Sequence, residues 1–147
     1  MKRHALLLAW LALLPLAVHA AQSDQVKASQ AWIRLLPVNL PAGGYVTLEN
    51  HGASPVTVVS AQSTSYASVM LHESSTDHAG NSGMHMLDRL TIPARDKVAL
   101  APAGYHLMLQ QATHPLKPGD TIEVTLNFAD GSHLAVPFLI RPANTDN

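Results

Sequence analysis

Apolar and polar residues alternate with a period of two along most of this chain. That is the pattern of a strand with one buried face, because successive side chains of a strand point to opposite sides. The clearest case is Tyr105–Gln110, where Tyr105, Leu107 and Leu109 alternate with His106, Met108 and Gln110. The same alternation predicts strands over 26–36, Tyr45–Asn50, Val56–Ala61 and Ser68–Glu73. Further strands are expected at Leu90–Ile92, Val98–Leu100, Thr121–Phe128 and His133–Ile140. Pro and Gly mark 37–44 as a loop, and Lys117–Asp120 and Asp130-Gly131 as turns. The polar run 74–83 lacks apolar periodicity and reads as a long loop. Pro137 lacks an N–H, so the last strand is expected at an edge or a bulge. Past residue 20 no stretch has a helical period. Eight or nine short strands at this spacing predict an antiparallel β-sandwich with no helix longer than a turn or two.

The first twenty residues follow another rule. Met1-Lys2-Arg3-His4 precedes an apolar run from Ala5 to Val18, and Val18-His19-Ala20 ends in small residues. A basic start, a short apolar middle and a small-residue end describe a secretory signal peptide, cleaved after Ala20. The expected division is a leader over 1–20 and one domain over 21–147, periplasmic and not inserted in the membrane after cleavage. Without Lys2 and Arg3, seven basic side chains face ten acidic ones, a net charge of −3. That balance disfavours nucleic acid as a partner. The sequence has no cysteine. Disulfides, thiolate metal sites and cysteine nucleophiles are therefore excluded together, and a blue-copper electron carrier with them.

The chemistry sits on the polar face of the 105–110 strand. His106 and Met108 project to one side, and an imidazole beside a thioether is a half-site for a soft ion such as Cu(I). Met70 and His72 repeat the pairing on another strand, although Met70 reads more simply as core. His72-Glu73-x-x-Thr76 begins like a zinc-protease motif, but Thr76 replaces the second histidine and no helix brings the positions together. Nucleotide-binding and serine-hydrolase motifs are absent. Trp32 and Tyr105 read as core aromatics, and Arg34 and Glu49 as a possible cross-strand pair. His51, His114 and His133 fall at loop or hairpin positions, where solvated imidazoles are expected.

Spacing carries the reading further. Eleven residues separate His72 from Met84, twenty-one separate Met84 from His106, and one separates His106 from Met108. This matches the metal-binding signature of the periplasmic PCu(A)C copper chaperones, a family the chain resembles along nearly all its mature length. Other matching landmarks are Ala31–Arg34, Tyr45–Asn50, Leu71–Glu73, Leu90–Pro93, Gly104–Leu109 and Pro115–Asp120. The resemblance implies a Greek-key, cupredoxin-like β-sandwich binding Cu(I) through His72, Met84, His106 and Met108. It implies delivery toward the Cu(A) centre of cytochrome oxidase, to an oxidase subunit or a Sco-type protein. Two departures stand out: Ala103-Gly104 where the family often has Gly-Gly, and no His- and Met-rich tail.

Residue chemistry agrees with the four. Neutral imidazole and thioether hold a soft ion without thiols that an oxidising compartment would convert to disulfides. A carrier, not an enzyme, is the leading reading. The alternatives are an exported adhesion or accessory module with incidental His and Met, and a copper enzyme with an open coordination position. His78, His85 and Met86 are unused by the signature and close together, so they form a candidate auxiliary site, weaker and suited to Cu(II) with Asp77.

Overall fold

The computed structural model describes residues 19–145, so almost all of the expected leader lies outside the described residues. One helical turn, α1 (Gln22–Gln25), is followed by ten strands. These are β1 (Val26–Arg34), β2 (Ala42–Asn50), β3 (Val56–Gln62), β4 (Tyr66–Thr76), β5 (Ser82–Met86), β6 (Leu90–Ile92), β7 (Lys97–Leu100), β8 (Tyr105–Ala112), β9 (Thr121–Phe128) and β10 (His133–Arg141). Their order across the sheet is β5-β4-β8-β2-β1-β10-β9-β3-β6, with β7 also on β2. All pairings are antiparallel except β1 with β10, which makes the sheet mixed. The Ser63–Tyr66 bridge joins the ends of β3 and β4, so the sheet folds back on itself around a single core.

Alternation decides what enters that core. Leu71 of β4, Leu107 and Leu109 of β8, and Ala42, Val46 and Leu48 of β2 all point inward. They meet Val124, Leu126 and Phe128 of β9 and Val136, Phe138 and Ile140 of β10. Each of these larger side chains contributes roughly 1.5–3 kcal/mol by leaving water. The opposite parity of β4 and β8, which includes His72, His106 and Met108, is thereby forced onto the outer face.

Three expectations about the strands need correction. Residues 42–44 belong to β2, not to a loop. A Cβ on Gly44 would stand 3.0 Å from Leu109 Cδ1 and 3.1 Å from Leu107 Cβ, so this glycine permits a close approach of β2 to β8. The run 74–83 is mostly strand: β4 continues to Thr76 and β5 starts at Ser82, leaving a tight connection over 77–81. This hairpin ends the sheet and is largely exposed, so no apolar period marked it. Finally, β10 lies inside the sheet, between β1 and β9. Pro137 is tolerated because pairing with β1 starts only at Leu139, beyond a bulge in β1 where Gln30 takes φ 53°.

Arg34 does not pair with Glu49. It lies over the rings of Trp32 (5.5 Å) and Tyr45 (5.6 Å) and donates to the Thr145 carbonyl at 3.0 Å. Trp32 is buried on the outer face, its ring tilted at 46° to that of Tyr45 with centroids 4.7 Å apart and covered also by Arg141, rather than in the central core. Tyr105 does pack against that core.

Candidate metal centre

Strands β4 and β8 run side by side in a register that sets Met70 opposite Met108, Leu71 opposite Leu107 and His72 opposite His106. With the leucines inward, both flanking pairs face out together. On the other side of β4, Met86 stands opposite His72 and Met84 opposite Ser74. Directly opposed residues on neighbouring strands are about 5 Å apart, and residues two apart on one strand about 7 Å. The outer face of β5-β4-β8 therefore gathers two imidazoles and four thioethers within reach of long side chains.

The two imidazoles are held differently. Their ring centroids are 5.7 Å apart at 60°. His106 is buried, and its Nδ1 donates to the Gly104 carbonyl at 3.0 Å. Since a carbonyl only accepts, the proton is on Nδ1, and Nε2 keeps a free lone pair. The same carbonyl accepts from the Ser74 backbone N–H at 3.0 Å, so one oxygen orients the imidazole and clamps β4 to β8. Nothing anchors His72: both its ring nitrogens are buried without a hydrogen-bond partner. Burial, and secondarily the charge of a protonated His106, holds its pKa below the ordinary imidazole value, so its neutral form persists.

Buried polar atoms in a folded protein nearly always have partners, and an orphaned imidazole needs an explanation. A cation held by both rings supplies one. Among the described residues no three His, Cys, Asp or Glu side chains converge as a metal site, so any ion bound here depends on sulfur. Of the thioethers on this face, that of Met108 is steadied by Gln110 Nε2 at 3.6 Å, and that of Met84 is half exposed on β5. Neutral nitrogens with thioethers suit a soft monovalent ion and are poor ligands for hard divalent ones.

The loop residues do not gather in this way. His85 stands opposite Glu73 on the other face of the hairpin, its ring near Gly83, while Met86 faces outward with Met84. The Asp77 carboxylate is engaged by the backbone N–H groups of Ala79 and Asn81 and by the Asn81 amide. His78 lies in the exposed turn. His51, His114 and His133 are exposed, as their positions suggested. Met70 is the residue sequence reasoning undervalued: it is half-buried on the outer face, outside the core. Its shared parity with His72 was the available signal.

The fold that sets these imidazoles and thioethers on one sheet face is the cupredoxin-like β-fold of the PCuAC class of domains. Within that class the chain belongs to the family described as "Putative lipoprotein LpqE-like", whose pattern spans residues 26–140. A protein of Leifsonia xyli subsp. xyli, itself described as a "putative lipoprotein", is 36% identical over 118 residues, covering 79% of this chain and 70% of its own. The Cu(I) form of DR1885 from Deinococcus radiodurans is 35% identical and superimposes with a TM-score of 0.61, over 76% of this chain and 74% of that one. The copper-bound PCuAC domain of PmoF2 matches with a TM-score of 0.68 over 84% of this chain and 98% of its own. At 22% identity, that likeness speaks for the fold alone.

Proposed function

We propose that this protein is an exported Cu(I) carrier that holds the ion through His72, Met84, His106 and Met108 and gives it up to a copper-accepting protein. The observation that carries the reading is the orphaned His72 imidazole, kept neutral by burial and set beside an anchored His106 whose free nitrogen shares its face. An adhesion module with incidental histidines would have no reason to bury an imidazole whose nitrogens lack partners: such a desolvated ring costs stability unless something fills the place.

Carriage fits the donors better than catalysis. Four protein ligands fill a Cu(I) coordination shell, whereas a catalytic metal needs an open position. Uncharged thioethers also hold copper less firmly than thiolates, which suits release. A Cu(I)-bound relative at 35% identity supports the choice of metal. The leader-like first twenty residues and the lipoprotein descriptions of the family and its Leifsonia member support export, here to the periplasm. The recipient we favour is the Cu(A) centre of cytochrome oxidase or a Sco-type protein on the way to it. The loop residues do not form a separate Cu(II) site on this reading, because His85 and Met86 face opposite ways and the Asp77 carboxylate is engaged.

Anaerobic titration with Cu(I) against a competing chelator tests this. One tight equivalent is expected, and His106→Ala or Met108→Ala should weaken it on the order of 100-fold, since even the partners of metal ligands are worth 10–100-fold. Absence of stoichiometric uptake, or affinity indifferent to both substitutions, would refute the carrier.

A further inference from the structure

The four proposed ligands leave two thioethers on the same face unused. Met86 stands directly opposite His72, on the side away from His106, and Met70 lies two residues along β4 from His72. Met70 and Met86 also line one surface depression together with Leu71 and Leu87. His72 thus borders two adjoining donor sets: His106, Met84 and Met108 in one, and Met70, opposite Met108, with Met86, two residues from Met84 on β5, in the other.

The two histidines are unequal in a way that matters here. His106 is tied to Gly104, whereas His72 has no hydrogen bond to lose if its ring turns. Strand β5 is the terminal strand of the sheet, and Met86 is 65% exposed there. We propose that Met70, Met86 and the His72 imidazole form a second Cu(I) station, on β4 and β5 alone, through which copper leaves the β8 ligands of the four-residue site. This rests on the carrier reading above. Because His72 serves both stations, they are filled in turn and not together. In the move, the Cu–N bond to His106 and the Cu–S bonds to Met84 and Met108 break as Cu–S bonds to Met70 and Met86 form. The same His72 nitrogen stays on the ion, copper remains monovalent, and no proton or electron is exchanged. Two thioethers and one imidazole make a three-coordinate soft site, weaker than the first and open to an acceptor's sulfur.

The test isolates the second station by disabling the first. A His106→Ala/Met84→Leu variant should still bind one Cu(I), at least tenfold more weakly than the parent, with sulfur-dominated scattering in X-ray absorption. Adding Met70→Leu and Met86→Leu should abolish that uptake; leucine preserves volume at these positions, and circular dichroism checks each fold. A folded double variant that takes up no Cu(I), or uptake that survives in the quadruple variant, would overturn the proposal. Parent protein that takes up no Cu(I), or a double variant as tight as the parent, would instead remove the carrier reading beneath it. A measurement on the unsubstituted protein avoids any folding defect: with methyl-labelled methionine and substoichiometric Cu(I), the methyl signals of Met70 and Met86 should shift with those of Met84 and Met108. Unmoved Met70 and Met86 signals would likewise overturn the second station.

Discussion

His72 and Ala103 are two residues at which the fold accepts a local cost near the candidate site. The neutral His72 imidazole is favoured by the folded state over the unfolded one, because its pKa is held below the ordinary value of 6.5 by burial and by His106. Above pH 6.5 both states are neutral and nothing is lost. Below it the unfolded chain takes up a proton that the fold resists, so stability falls as the pH drops from 6.5 toward the depressed folded value. Metal-free protein should therefore unfold at lower denaturant as pH falls through this window, and His72→Gln should flatten the dependence. An unchanged slope in that variant would show that His72 does not titrate as described. Ala103 has a φ of 66°, in the left-handed region. A non-glycine residue there costs roughly 1–2 kcal/mol, partly offset by the extra freedom glycine brings to the unfolded chain. Ala103→Gly should raise stability by about 0.5–1 kcal/mol, readable as a higher midpoint in urea.

At the scale of elements, the site is a product of register. Strand β8 was legible because its inward residues are all apolar and its outward residues are not. The spacing of His72, Met84, His106 and Met108 was legible as a signature. That Met70 and Met86 share their face was not, since the pairing of β4 with β5 depends on a connection of five residues whose polar sequence resembles an open loop. The Gly43-Gly44 pair misled for a related reason: glycine permits a turn and a close approach alike, and only the Leu107 and Leu109 side chains above Gly44 decide which. Gly44→Ala should accordingly destabilise by about 1–3 kcal/mol through overpacking against β8. A neutral outcome in chemical denaturation would mean that β2 and β8 separate more easily than the contact distances imply. Pro137 is similar in kind, its permission coming from where β1 pairing begins rather than from an edge.

At the scale of the molecule, one rolled sheet divides labour between its faces. The inner face supplies the core that fixes strand spacing, and the outer face of β5-β4-β8 presents imidazoles and thioethers on that rigid frame. Fold and family followed from alternation and spacing over most of the chain, because both are properties of the backbone period and survive in sequence. The orphaned His72 ring and the anchored His106 ring did not, because they depend on which atoms surround each nitrogen. The claim that copper is held by two imidazoles and two thioethers is tested most directly by X-ray absorption on protein loaded with one equivalent of Cu(I). Two nitrogen and two sulfur scatterers are expected, with one sulfur lost in Met108→Ala and one nitrogen lost in His106→Ala. A shell of nitrogen and oxygen alone, or one that neither substitution changes, would contradict it.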